Sequence, residues 1–429
     1  MRASVVGRWL RRLPPAVRDV LVVLGCSWLV RAAVIATWPR SAHSDDLDSW
    51  IAVAHQLDIG ANPYVTTSIV KWPPFALVVV WLIDHAARAF GVSFFTAMRV
   101  ALIAAESGIV IVLYALLTRF APGRTVRRLL LVGISLDPIA ILFVCQHENI
   151  DVFVGLFVAL ALWALVAYRQ TGDVVLWLAG CLALGLGAFA KTVPLVLAPI
   201  LVPGFRAAAK AGRALGAALF LGPIVLGLSV VLALAPRAVV DNVFLYRSIR
   251  GYFGVTGFLQ LAHLDGVGRA YDRVFVVALI VSLCVICRWA WRGGLDESAT
   301  VLLAGLLLAA VPALGPGYGP QYAYWYLPPL VASYLLLDDA WRRILVACYA
   351  VAAVTYVVEY ALLRALGRFL VAFSGDSHLL RASDRLSTPG GTTLLRIPLF
   401  VAFLVLLVTG FARLRSAHGR APEVAPRSA

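Results

Sequence analysis

The sequence has few charged residues for its length. Asp, Glu, Lys and Arg together make up 14% of the 429 residues, whereas roughly a quarter is usual in soluble domains. Apolar residues reach 62% and the mean hydropathy is +0.89. A composition this poor in charge excludes a soluble globular protein and predicts an integral membrane protein.

Three other patterns are missing. The CVIC stretch at Cys284 and Cys287 has no second cysteine pair, so it is not a zinc pattern. The formal net charge is +15, yet no RNA- or DNA-binding motif accompanies it, which argues against a nucleic-acid partner. No internal repeat divides the chain into the two halves of an inverted-repeat transporter.

Apolar runs of membrane-crossing length recur along the chain, as helices in lipid require. They predict an all-α polytopic membrane protein, a bundle of about twelve transmembrane helices that forms one integral-membrane domain over residues 1–429. The predicted spans are 19–38, 99–117, 129–145, 151–168, 174–190, 192–204, 214–235, 274–290, 299–315, 323–337, 343–363 and 395–412.

One further apolar run, 72–90, can be interpreted in two ways. If it crossed the membrane, the basic loops 118–128 and 206–213 would face outward, against the positive-inside rule. If it lies on the outer surface, those loops are cytoplasmic. The run also begins WPP and carries three ionisable residues near its end, which suits a surface helix.

The charge pattern therefore predicts a multi-pass protein of the cell membrane with both termini cytoplasmic. The basic N-terminus 1–18 and the tail 413–429 lie inside. The long loops 39–98, 236–273 and 364–394 lie outside, and the first of them carries surface helices. We expect the functional site on the outer face, because the elaborated loops are there.

The first outer loop contains the densest acidic cluster of the chain. Within HSDDLDSW stand Asp45, Asp46 and Asp48, followed by the amphipathic stretch WIAVAHQL, the turn GANPY and then Lys71 with WPP. A carboxylate beside a membrane helix can act as a general base. The alternative is that the three acids cap and solvate the start of a surface helix.

This order of elements resembles the first outer loop of the C-type membrane glycosyltransferases (GT-C), which use polyprenyl-phosphate sugars. The similarity is closest to the bacterial polyprenyl-phosphate-mannose-dependent mannosyltransferases, glycosyltransferase family 87. It is sharpest over 44–75 and recurs at 146–151, 191–194 and 320–326. The resemblance implies a GT-C-like bundle of helices and a catalytic aspartate or glutamate in this loop.

The resemblance places the catalytic base at Asp46, four positions before Trp50. Asp45 is the adjacent alternative, and Asp48 is expected to cap the helix. A lipid phosphate is already a good leaving group, so one carboxylate that accepts the proton of the attacking hydroxyl suffices.

QHENID, residues 146–151, is expected at the outer end of the third span. By resemblance to a Q-x-x-D-like element, Gln146 and Asp151 line the donor or acceptor cavity. His147 and Glu148, between them, are candidates for substrate binding and for a second acid/base pair. A polar turn between two helices is the alternative interpretation. One His beside one Glu does not make a metal site, so no metal or other cofactor is predicted, although a divalent cation near the acids stays open.

Four basic residues are candidates for binding the donor phosphate. Lys191 in AFAKTVP matches a K-x-x-P element of the related enzymes. FLYRSIRGYFG interleaves Arg247 and Arg250 with aromatic residues, and Lys71 precedes WPP. Arginine suits phosphate oxygens, while anchoring at the membrane interface is the alternative for each of the four.

The stretch GPGYGPQYAYWYLPP marks the start of the tenth span, where several glycines and prolines interrupt the helical pattern. Gln321, Tyr322 and Trp325 match a G-x-x-QY-x-x-W element and are assigned to substrate binding by resemblance. Tyr324 and Tyr326 are expected to belong to the aromatic belt that marks membrane interfaces.

The sequence thus favours an inverting glycosyltransferase. By resemblance it moves a sugar, mannose, from a polyprenyl-phosphate donor in the bilayer to an envelope glycan or glycolipid. The alternative is a proton-coupled transporter or lipid flippase that uses the intramembrane acids Glu106 and Asp137.

Overall fold

The computed structural model describes residues 13–37, 45–67, 70–244, 253–293, 295–317, 322–359 and 393–418. This part of the chain is helical and contains no β-strand. Its first part consists of a long helix followed by three shorter ones, α1 (Pro15–Thr37), α2 (Asp45–Asp58), α3 (Pro63–Thr66) and α4 (Pro74–Ala89).

The middle of the chain forms helices that pack on their sequence neighbours. They are α5 (Phe94–Leu117), α6 (Gly123–Leu130), α7 (Pro138–Leu142), α8 (Asp151–Thr171), α9 (Val174–Ala190), α10 (Ala198–Ala207) and α11 (Lys210–Leu234). Glycine allows the closest approach, because a Cβ at Gly185 of α9 would lie 2.3 Å from the carbonyl oxygen of Leu219 in α11. Small residues at such contacts are how membrane helices pack tightly.

The last part of the described chain contains seven helices. They are α12 (Pro236–Val239), α13 (Gly254–Leu261), α14 (Asp265–Gly293), α15 (Glu297–Leu314), α16 (Ala323–Leu336), α17 (Asp339–Tyr356) and α18 (Ile397–His418). α15 and α16 are buried along most of their length, whereas α14 is exposed on most of its surface.

Eight helices of the described residues are long and apolar enough to cross a membrane, and they coincide with predicted spans. The pair Gly123–Ser135 and Pro138–His147, bent by 46°, makes a ninth if it counts as one span. The other predicted segments are helical but shorter, namely α9, Val193–Ala207 and α16. The prediction of an all-helical polytopic membrane protein is confirmed.

The third predicted span is broken at its middle. Pro138 starts α7, and the side chain of Asp137 accepts a hydrogen bond from the Ile139 N–H at 2.8 Å, which caps that helix. Five-residue π-helical turns extend α6 over Leu131–Ser135 and α7 over Phe143–His147. Such turns inside helices are frequent at functional sites.

Both ends of α4 lie at the same end of the bundle. At its start, Phe75 packs edge-on against Phe153 of α8 and Phe189 of α9, at centroid distances of 5.9 and 5.8 Å. After its last turn α5 begins, and Arg99 of α5 forms an ion pair with Glu148, just before α8. Both ends of this 16-residue helix therefore lie at one end of the bundle, and its placement on the outer membrane surface stays a prediction.

Candidate functional site

Lys191 and Asp151 form an ion pair at the end of the bundle that holds α2 to α4. Lys191 follows the last residue of α9, and Asp151 is the first residue of α8. Lys191 Nζ lies 3.0 and 2.9 Å from the two carboxylate oxygens of Asp151. The Asp151 side chain is 1% exposed and that of Lys191 is 17% exposed, so the cation is open to a ligand and the carboxylate is not.

Two stacked aromatic rings complete this group. Tyr322 and Trp325 lie with their ring centroids 3.9 Å apart and their planes at 19°. Lys191 Nζ is 4.9 Å from each ring centroid, within the range of cation–π attraction. We call Asp151, Lys191, Tyr322 and Trp325 the Lys191 cluster. The structure thus brings together four residues that the sequence assigned to substrate or phosphate binding.

A second ion pair of the same kind lies beside the cluster. Arg99 Nε donates to a carboxylate oxygen of Glu148, whose side chain is fully buried, while that of Arg99 is 20% exposed. Glu148 has φ 53° and ψ 45°. Non-glycine residues held in this left-handed region cost about 1–3 kcal/mol and concentrate at functional sites.

Arg99 is a residue that sequence reasoning missed. A single arginine in the second turn of a membrane helix has the pattern of an interface anchor. Its pairing with Glu148 joins positions 49 residues apart. Only the backbone turn that buries the Glu148 carboxylate shows Arg99 to be part of the site.

The remaining residues of QHENID are held inside the same turn. Gln146 is buried, and among the described residues its side-chain oxygen accepts no hydrogen bond. The ring of His147 stacks on Phe143, with centroids 5.5 Å apart and planes at 20°. The side-chain oxygen of Asn149 accepts a hydrogen bond from the Asp151 N–H at 3.0 Å, which positions the start of α8. The role of Asn149 was not predicted.

The predicted acidic loop forms the start of a packed surface helix. Asp45 and Asp46 are the first two residues of α2. Asp48 lies in the same first turn with an exposed side chain, and its capping role stays a prediction. One turn past Asp46, Trp50 is fully buried and packs on Trp72 with ring centroids 4.0 Å apart.

The GANPY turn is tied to the WPP segment. The Tyr64 hydroxyl donates to the carbonyl oxygen of Trp72 at 2.7 Å, and burial raises the pKa of Tyr64. The Asn242 side chain donates to the carbonyl oxygen of Tyr64 at 3.2 Å. The turn therefore fixes α2 and α4 against each other, and it anchors the acidic end of α2 beside the bundle.

Of the other residues predicted to bind the phosphate or the sugar, the structure describes only some. Lys71 precedes Trp72 and has an exposed side chain. Arg247, Arg250 and Gln321 lie outside the described residues.

A group of three side chains of metal-ligating type lies at the exposed edge of the first loop. Asp58, Asp84 and His85 have ligand atoms within 4.8 Å of one another. Arg88 Nη2 occupies the middle of this group, 2.7 Å from Asp58 and 2.6 Å from Asp84. The hydrogen bond from Arg88 lowers the pKa of Asp58. A cation would have to displace the guanidinium, so the group functions as an ion-pair network.

The intramembrane acid Glu106 has a cationic partner. Arg31 Nε lies 2.5 Å from one Glu106 oxygen, and Arg31 Nη2 donates to the other at 2.6 Å. Arg31 also donates to the carbonyl oxygens of Ile134 and Ser135, at 3.0 and 2.9 Å, where the bent span is broken. Both charged side chains are 0% exposed. The pair therefore satisfies the backbone groups that the break leaves open.

Two tyrosines complete the hydrogen bonding of the intramembrane acids. Tyr324 donates to Glu106, and Tyr349 donates to Asp137. Tyr324 is 1% exposed and Tyr326 is 7% exposed. The prediction that both belong to an interfacial aromatic belt is wrong, because their rings pack inside the bundle.

These observations define a polytopic helical membrane protein whose loop end carries two ion pairs with partly exposed cations and a stacked aromatic pair. Neither a family model nor a curated protein matches the chain.

Solved structures of ArnT from Cupriavidus metallidurans have the same fold. ArnT bound to undecaprenyl phosphate is 16% identical, with a TM-score of 0.50, over 93% of this chain and 78% of that chain. ArnT in the apo state gives the same identity and TM-score over 92% and 77%. At this identity the likeness establishes the fold and not the chemistry.

Proposed function

We propose that this protein is a glycosyltransferase that takes a sugar from a polyprenyl-phosphate carrier. The observation that carries the proposal is the Lys191 cluster, a partly exposed cation beside stacked aromatic rings at the loop end of the bundle. ArnT, which shares the fold, is a GT-C glycosyltransferase and binds undecaprenyl phosphate.

The two paired cations suit a phosphate leaving group. Negative charge grows on the phosphate as its bond to the sugar breaks, and preorganised cations stabilise that charge. Lys191 and Arg99 are each oriented by a buried carboxylate, so little reorganisation is needed when the phosphate binds. Tyr322 and Trp325 are 7% and 2% exposed and stack on each other beside Lys191, so their rings hold the cation in place.

The proposed base is Asp46, with Asp45 as the alternative. A hydroxyl oxygen of the acceptor bonds to the anomeric carbon while the bond from that carbon to the phosphate oxygen breaks. The carboxylate takes the hydroxyl proton, and the phosphate leaves with its lipid. Attack opposite to the leaving group inverts the anomeric carbon.

We further propose that the sugar is mannose, that the acceptor is an envelope glycan or glycolipid, and that the site faces outward with both termini cytoplasmic. The resemblance of the first loop to mannosyltransferases supports the first assignment. The basic loops, 118–128 and 206–213, support the orientation.

The transporter alternative receives less support. Glu106 and Asp137 each have hydrogen-bonding partners that complete the structure of the broken span. Glu106 is 0% exposed in an ion pair, which gives its carboxylate a structural role without any proton transfer.

The proposal is tested with purified protein and radiolabelled polyprenyl-phosphate-mannose. The parent should consume the donor. Asp46→Asn should slow transfer by about 10²–10⁴-fold, the range typical of a lost general base. The matched control is Asp48→Asn, in the same helical turn, and it should retain the parent rate.

Two outcomes would contradict the proposal. The first concerns the choice of base, and the second concerns the glycosyltransferase activity itself. If Asp45→Asn is inactive and Asp46→Asn is not, the base is Asp45. If the parent consumes neither this donor nor any other polyprenyl-phosphate sugar, the glycosyltransferase proposal is wrong.

A further inference from the structure

A long apolar groove runs along the face of α16 that points away from the Lys191 cluster. Its volume is about 420 Å³. Its floor includes residues at the spacing of one helix face, Ala323, Leu327, Leu330, Val331 and Tyr334. Tyr322 and Trp325, which contact Lys191, do not line it.

The groove separates two parts of the bundle. One wall is the bent span, with Val132 and Gly133, and the other is formed by α17 and α18, with Val346 and Leu406. The hydrogen bond from Tyr349 to Asp137 joins the two walls. Val132 is 65% exposed and Val346 is 52% exposed, so the groove opens onto the lipid-facing surface.

The groove has the length of one lipid chain. Twelve residues of α16 separate its first and last lining positions, Ala323 and Leu335. At 1.5 Å per residue this is roughly 18 Å. The hydrocarbon core of a bilayer is about 30 Å thick, so the groove spans about one leaflet. A polyprenyl chain is far longer than that.

The end of the groove opposite to the Lys191 cluster is basic. Thr125 and Arg128 line it there, and both have exposed side chains. Among the described residues no carboxylate pairs with Arg128, whereas its neighbour Arg127 is held by Asp19 at 2.7 Å. Arg342, at the same end, is paired with Asp339 at 2.7 Å, so Arg128 is the cation that this end of the groove offers to an anion.

We propose that this groove is a binding site for an anionic phospholipid, distinct from the donor site. One acyl chain lies along α16, and the phosphate contacts the guanidinium of Arg128 and the hydroxyl of Thr125. Arginine forks match phosphate oxygens. The lipid belongs to the leaflet opposite to the Lys191 cluster, and its binding does not depend on the proposed reaction.

The test measures lipid binding to the delipidated, detergent-purified protein by native mass spectrometry. Dioleoyl phosphatidylglycerol should bind saturably and more tightly than dioleoyl phosphatidylcholine. Arg128→Gln should weaken phosphatidylglycerol binding by about fivefold, as expected for one arginine at a membrane surface. The matched control is Arg124→Gln, an exposed arginine of the same helix that does not line the groove.

A second variant tests the groove itself. Ala352→Phe places a ring in the cavity, since Ala352 is one of its lining residues, and it should abolish the saturable binding of phosphatidylglycerol. Equal binding of both phospholipids, an equal loss in Arg124→Gln, or unchanged binding in Ala352→Phe would each overturn the proposal. Displacement of phosphatidylglycerol by undecaprenyl phosphate would assign the groove to the donor instead.

Discussion

Three ion pairs of the described bundle differ in how far the cation is exposed. In the sealed pair, Arg31 and Glu106 are both 0% exposed. In the site pairs, the carboxylates of Asp151 and Glu148 are buried, but Lys191 and Arg99 are 17% and 20% exposed. A buried charge is therefore not by itself a sign of function in a membrane protein. Partial exposure of the cation is not a sufficient sign either, because Arg127 is 27% exposed in its pair with Asp19 at the opposite end of the bundle.

The sealed pair has a structural explanation that the site pairs lack. Arg31 uses its donors on Glu106 and on carbonyl oxygens that the broken span exposes. No water in the bilayer core could satisfy those carbonyl groups. Lys191 instead neutralises one buried carboxylate, that of Asp151, and among the described residues it donates to no backbone carbonyl oxygen.

The largest effect is expected when the sealed pair is broken. Glu106→Gln leaves the Arg31 charge buried without its counter-ion. Removing one partner of a buried pair typically costs about 3–5 kcal/mol, and we expect a loss of free energy of unfolding in that range. Denaturation in detergent measures it. Glu106→Asp, which keeps the counter-ion and leaves Arg31 on its carbonyl partners, should lose less; a Glu106→Asp variant as unstable as Glu106→Gln would contradict this account.

A large effect on activity with a smaller one on stability is expected at the site. Lys191→Met should lower the rate of transfer by about 10²–10³-fold, the range seen when a preorganised group that stabilises developing charge is removed. Single-turnover kinetics with labelled donor measure this rate. Lys210→Met is the control, because Lys210 starts α11 with an exposed side chain. Full activity in Lys191→Met would remove the cluster from the proposed mechanism.

The smallest effect is expected at the exposed network around Arg88. The pKa of Asp58 is lowered from its ordinary 3.8 because Arg88 donates to it. The pair therefore stabilises the protein above that pH, and the contribution is lost as the pH falls through the lowered pKa. Exposed pairs contribute little, so Arg88→Gln should leave activity and melting temperature at pH 7 unchanged. A marked drop in melting temperature would show that this loop is held by charge rather than by the packing of Trp50 on Trp72.

Local sequence patterns predicted the helices and the first loop. Runs of apolar residues locate helices because lipid allows no unsatisfied backbone. Pro63 and Pro74 begin α3 and α4 because proline at a helix start needs no N–H partner. The contacts of Trp50 with Trp72 follow from elements only 22 positions apart.

The sequence by itself determined the class of protein, and its resemblance to the GT-C enzymes indicated four members of the candidate site, Asp151, Lys191, Tyr322 and Trp325. Only the tertiary structure decided which charged side chains are fully buried and which are partly exposed. Arg31 and Glu106 are 75 positions apart, and Glu106 and Tyr324 are 218 apart. Pairing over such distances depends on how whole helices pack, and no local periodicity encodes that packing.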